Sequence, residues 1–149
     1  MTERKLKNYF VKNLTAEQLA LDLRDSQKQT SHDVISVYVD QMPDGEFEIK
    51  TEHLIMLCDD FTSGKLFPTD LNTIAFALIT SDYFHWDNDT QEGQRIADVI
   101  FDWDNPEIGY DLTTSNIEHW REYLLTGKND FDMEELKKKF RNDGRKHKQ

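Results

Sequence analysis

Apolar residues in this chain recur three and four positions apart, in short stripes bounded by capping and stop residues. That rhythm points to a packing of helices. Leu14-Thr15-Ala16-Glu17-Gln18-Leu19 carries the first strong start signal. Thr15 caps with Gln18 three residues on, Leu14 and Leu19 flank the cap as a hydrophobic staple, and Leu19, Ala20 and Leu23 mark an inner face. Before it, Leu6, Phe10 and Val11 predict a shorter helix with a basic side formed by Arg4, Lys5, Lys7 and Lys12. Further on, Thr51 is placed to cap a helix bearing Leu54, Ile55, Leu57, Cys58 and Phe61 that ends near Gly64. Pro68-Thr69-Asp70 opens the next, with Leu71, Ile74, Ala75, Leu78 and Ile79 turned inward. Ile96, Val99, Ile100 and Trp103 form a stripe begun at Asp89 or Thr90 and stopped by Pro106. Ser115 with Glu118 is a second capping box, followed by Ile117, Trp120 and Leu124, and Gly127 closes that helix. Asp132 with Glu135 predicts a last helix using Leu136 and Phe140.

One stretch has a different period. Val34-Ile35-Ser36-Val37-Tyr38-Val39 is β-branched, and Phe47 and Ile49 alternate with Glu46, Glu48 and Lys50. Met42-Pro43-Asp44-Gly45 between them is a turn signal, so the expected assembly is a β-hairpin. Two strands are marginal in water, so the ribbon needs helices or a further strand to lie on. The expected fold is α+β and mainly α-helical: one domain over residues 1–149, with five to six helices, one β-hairpin and a frayed basic tail at 143–149.

Composition narrows the function. A single cysteine, Cys58, leaves no intramolecular disulfide and fits a reducing, cytoplasmic setting. No apolar run approaches a membrane span, and the charged start Met-Thr-Glu-Arg-Lys does not resemble a secretory signal. The net charge of −11 is unevenly distributed. Residues 1–32 carry six basic and four acidic side chains, residues 33–122 four and twenty, and residues 123–149 eight and five. The middle therefore holds −16 between two weakly basic ends. From Asp82 to Asp111 nine carboxylates face only Arg95, so this stretch should project a negative potential into solvent. Such a surface argues against nucleic-acid binding.

Catalytic and metal-binding patterns fail on inspection. The histidines show no His-x-x-x-His spacing, and His53 and Cys58 lie out of phase on one helix, which leaves Cys58 as a buried small hydrophobe. Asp87-Asn88-Asp89-Thr90-Gln91-Glu92-Gly93 imitates a calcium loop. Its sixth position is Glu92 rather than glycine, and its twelfth is Asp98 rather than glutamate. Phosphate-cradling glycine loops and a Gly-x-Ser-x-Gly elbow are missing. No enzyme, metal or cofactor is expected. Two segments that interleave aromatics with carboxylates remain: Tyr83-Phe84-His85-Trp86-Asp87-Asn88-Asp89 and Phe101-Asp102-Trp103-Asp104-Asn105-Pro106-Glu107. Aromatics anchor protein interfaces while carboxylates steer a partner in. Phe101 and Trp103 are read as core, joined to Ile96, Val99 and Ile100, with the acids between them facing out. The expected partner-binding residues are Asp82, Tyr83, Trp86, Asp87, Asp89, Asp102, Asp104, Glu107, Tyr110 and Asp111.

Two blocks carry a family likeness. One runs through Leu54-Ile55-Met56-Leu57-Cys58-Asp59-Asp60-Phe61, Gly64, Asp70-Leu71 and Ile74-Ala75 to Ser81-Asp82-Tyr83-Phe84. The other is Asp102-Trp103-Asp104-Asn105-Pro106-Glu107-Ile108, followed by Leu112-Thr113 and Ile117-Glu118-His119-Trp120 to Leu124. Together they cover roughly half the chain, leaving out its first 50 residues, and contain no catalytic signature. They resemble small acidic immunity proteins of bacterial contact-dependent growth inhibition and related polymorphic toxin systems. The resemblance implies a cytoplasmic, non-enzymatic protein that binds and blocks the C-terminal domain of a cognate toxin, commonly a nuclease. No contact residue carries over, because such families vary at the contact surface. The alternative is an acidic adaptor or nucleic-acid mimic that occupies a DNA-binding protein, and a third reading is an enzyme with an unrecognised carboxylate site.

Overall fold

The computed structural model describes residues 2–28, 41–107 and 109–128. In chain order they form α1 (Glu3–Phe10), α2 (Ala16–Lys28), β1 (Phe47–Glu48), α3 (Thr51–Thr62), α4 (Pro68–Thr80), β2 (Phe84–His85), α5 (Gln91–Asp104) and α6 (Thr114–Thr126). The fold is α+β and mainly helical. Among the described residues, no helix is long and apolar enough to cross a membrane.

Helix starts follow side-chain chemistry. Before α2, the Thr15 N–H donates to Gln18 Oε1 at 3.0 Å and the Gln18 N–H donates to Thr15 Oγ1 at 3.2 Å, which is the reciprocal box read from the sequence. At α4 the Asp70 carboxylate accepts from the Phe67 N–H at 2.8 Å, with Pro68 in the first turn. The Gly93 N–H of α5 is capped by Thr90 Oγ1 at 2.9 Å, and Gly127 ends α6 with a φ of 79°. Two caps differ from expectation. Thr51 is the first residue of α3, not its cap; the Lys50 N–H donates instead to His53 Nδ1 at 2.9 Å. The α6 cap is Thr113, which accepts from the Asn116 N–H at 3.2 Å, while Ser115 lies inside the helix. Of several adjacent hydroxyls, the one left outside the first turn becomes the cap, and packing decides which that is.

Among the described residues the sheet joins two strands distant in sequence. Phe47–Glu48 forms the expected strand, with Ile49 buried, and pairs in parallel with Phe84–His85, with Phe47 opposite Phe84. Val34–Val39 lies outside the described residues, as do the expected helix at 132–140 and the tail at 143–149. Gly45 has a φ of 96°, consistent with the turn read at 42–45. The pairing is held by aromatic packing. Phe10, Phe47, His53, Tyr83 and Phe84 form one cluster, with Phe10 5.2 Å from the His53 ring and Phe47 5.8 Å from Phe84. A buried carboxylate ties α1 to this region: Glu3 accepts from the Met42 N–H at 2.7 Å and from the Ser81 hydroxyl.

One core cluster joins all six helices, including Leu6, Leu19, Leu54, Leu71, Ile96 and Ile117. The most extensive helix pairs are α3 with α6 and α4 with α5. Cys58 is fully buried in this core, and burial pushes its thiol up to about 12, far from a reactive thiolate. Ile79, expected inside, is 43% exposed instead: it follows Leu78 by one helical step and falls off the Leu71–Ile74–Leu78 stripe.

Candidate protein-binding face

α5 organises the acidic stretch, and its two ends behave differently. At its start the loop after β2 folds back on the first turn. The Asp89 N–H donates to Asp87 Oδ1 at 2.9 Å, and the Asp87 carbonyl accepts from the Thr90 hydroxyl at 2.8 Å. A Cβ on Gly93 would lie 1.6 Å from that carbonyl oxygen, so glycine is needed there for the loop to approach. The glycine that arrives one position late for a calcium loop thus serves close packing. Glu92 reaches across to α3, accepting from the Thr51 N–H at 3.0 Å and the Thr51 hydroxyl at 3.3 Å. A carboxylate at that helix start is favoured by the macrodipole.

Along α5 one flank is joined to α6. Arg95 donates to the Leu124 carbonyl at 3.4 Å, Tyr123 donates to Asp98 Oδ2 at 2.7 Å, and the Trp120 indole N–H donates to Asp102 Oδ2 at 3.1 Å. Burial and the bonded carboxylate raise the Tyr123 phenol to about 12. Burial also raises the carboxyls of Asp102 and Asp104, against the Trp120 bond at Asp102 and with Glu107 adding to the rise at Asp104. Arg95 is the one Lys or Arg between Asp82 and Asp111, and it serves the C-terminal end of α6. Among the described ion pairs, none involves Asp82, Asp98, Asp104 or Glu107.

The ten residues expected to form one surface are therefore divided. Asp82, Asp87 and Asp89 are exposed near the start of α5, while Glu107 and Asp111 are exposed beyond its end. The fourteen residues of α5, at roughly 1.5 Å each, separate the two groups by about 20 Å. Tyr83 is buried at 6% exposure, with the turn carrying Gly45 against its ring. Trp86 is half-buried with its indole N–H on Asn88 at 3.1 Å, and Tyr110 is half-buried with its ring edge-on to Trp120 at 6.4 Å. Asp102 is bonded into the fold.

Phe101 reverses the other way. Expected in the core, it is 55% exposed, whereas Trp103 is fully buried. Phe76 and Ile79 on α4 are exposed as well, at 37% and 43%. Sequence reasoning missed these three as surface groups, although helical phase carries the signal. Phe76 falls outside the Leu71–Ile74–Leu78 stripe, and Phe101 sits about 200° from Trp103. Among the described residues, no group of three or more His, Cys, Asp or Glu is arranged to hold a metal ion. Compared with protein-family models, curated proteins and solved structures, the chain matches none.

Proposed function

We propose that this chain is a non-catalytic, cytoplasmic immunity protein that binds the C-terminal domain of a cognate toxin, a nuclease, and blocks its basic cleft with an acidic surface. The observation that carries this reading is the withdrawal of Arg95 to the end of α6. Among the described residues, no ion pair reaches Asp82, Asp98, Asp104 or Glu107 either. A nuclease cleft holds phosphates on Lys and Arg, and a rigid set of carboxylates presents the same charge without a scissile bond. Opposite potentials also raise association above the ordinary ~10⁵–10⁶ M⁻¹s⁻¹.

The test is co-expression with the toxin domain encoded in the neighbouring reading frame, followed by binding kinetics on the purified pair. Cells should survive, and association should slow steeply with salt. Changing Asp82, Asp98 and Asp104 to Asn together with Glu107→Gln should lower the association rate roughly tenfold at low salt. Failure of the unaltered protein to protect cells from that domain refutes the reading.

A further inference from the structure

The outer face of α4 and α5 combines apolar exposure with uncompensated charge. Asn72, early in α4, donates to the carbonyls of Trp103 and Asp104 at the end of α5, at 3.1 and 3.3 Å. Two extensively packed helices that meet start-to-end run antiparallel. Phe76 lies one turn beyond Asn72, and Phe101 one turn before Asp104–Asn105, so the two rings sit at the same height. Arg95, Asp98 and Asp102 reach α6, which turns Ala97, Phe101 and Asp104 to the opposite flank, beside α4. Ile79 shares the α5-facing flank with Asn72 and comes level with Ala97. Phe76, Ile79 and Phe101 thus form one apolar patch, with the small Ala97 between Ile79 and Phe101.

Among the described residues of α4 and α5, the free charge beside the patch has one sign. α4 contains no Lys, Arg or His, and the lone Arg of α5 is engaged at Leu124. Asp104 flanks Phe101 on the α4 side, and exposed Asp98 lies one turn back on the outer surface. A second copy of the chain would bring like charges together here. An exposed apolar patch beside fixed charges suits a protein interaction site, where apolar contact supplies affinity and the charges supply steering.

We infer that this face is the docking site for a protein segment that presents apolar side chains among lysines and arginines. The inference rests on the reading of the chain as a binder of a basic protein, and it moves the contact centre from Tyr83 and Trp86 to Phe76, Ile79 and Phe101.

The experiment is a ¹⁵N NMR titration of the full chain with two synthetic amphipathic helical peptides. They share their lysines, but one has a leucine stripe and the other serine in its place. The leucine peptide should shift the amides of Phe76, Ile79, Ala97 and Phe101. It should bind roughly tenfold or more tightly than the serine peptide and lose that advantage in the Phe76→Ser, Phe101→Ser double variant. Equal binding of both peptides, shifts confined to the 87–90 loop, no binding by either, or self-association through this face overturns the inference. Protection from the toxin separates the two proposals. If the double variant protects as well as the unaltered chain and binds the toxin with unchanged affinity, only the docking face is wrong. If the unaltered chain fails to protect while the leucine peptide binds as described, only the toxin reading is wrong.

Discussion

Tyr83–Trp86 and Phe101–Trp103 are alike on paper, each a run of aromatics interleaved with charged or polar residues, and the fold treats them in opposite ways. In the first, Tyr83 and Phe84 are both buried, because the short strand is covered on one side by Phe10 and Phe47 and on the other by the turn at Gly45. In the second, two positions on a helix turn the chain by about 200°, so Trp103 enters the core against Trp120 while Phe101 faces solvent. Alternation alone does not decide which aromatic is a contact residue. The period of the element that carries it does, together with what covers each face.

The largest effect that would break this contrast is expected at Trp103. Trp103→Ala should cost about 3–5 kcal/mol by opening a cavity beside Trp120, read from urea unfolding at constant m-value. A loss below 1 kcal/mol would mean that the ring is not in the core. Gly93→Ala should come next, at about 1–3 kcal/mol or more, because the added methyl meets the backbone carbonyl of Asp87, which cannot rotate away as a side chain would. Thermal unfolding of that variant at the wild-type midpoint would show that the loop does not pack on α5.

A smaller, pH-dependent effect belongs to the aromatic cluster around Phe84. His53 accepts from the Lys50 N–H, and an imidazolium has no lone pair for that bond. Burial lowers its pKa below the ordinary 6.5, and Lys50 acts in the same direction; Glu52 and Glu92 oppose them. Folding therefore favours the neutral ring. This contribution is complete above about pH 6.5 and is lost as pH falls towards the lower folded-state value. The expected result is a drop in unfolding free energy between pH 7 and 5 that His53→Gln reduces, since Gln keeps the acceptor without titrating. An identical pH profile in both proteins would remove His53 from the cap. The smallest effect sharpens the comparison most. Phe101→Ala should change stability by no more than about 0.5 kcal/mol in the same urea assay, and a cost near that of Trp103→Ala would put its ring in the core.

Much of the helical frame was legible because caps and stripes act over three or four residues. Thr15 with Gln18, Pro68 with Asp70, and Gly127 were each readable within one helical turn. Thr51 and Ser115 were misplaced by one or two residues because neighbouring Thr, Ser and Lys offer competing starts, and contacts from elsewhere, such as Glu92 on Thr51, choose among them. The parallel partner of Phe47–Glu48 lies 37 residues away in sequence and left no local trace. Of the candidate site, the acidic character and the scarcity of basic residues were visible, but the exposed apolar side chains were not. Ile79 reads as an inward member of an apolar helix until the packing of α4 leaves it, with Phe76, at the surface.

The sequence by itself determined the helical period, most stop positions and a strongly negative middle, because these depend on residues close in the chain or on simple counting. Only the tertiary structure decided that Arg95 turns to α6, that Asp102 is bonded to Trp120, and that Phe101 rather than Tyr83 meets solvent. Each of those outcomes depends on which helix flank finds a neighbour, a property of packing in three dimensions that no local pattern encodes.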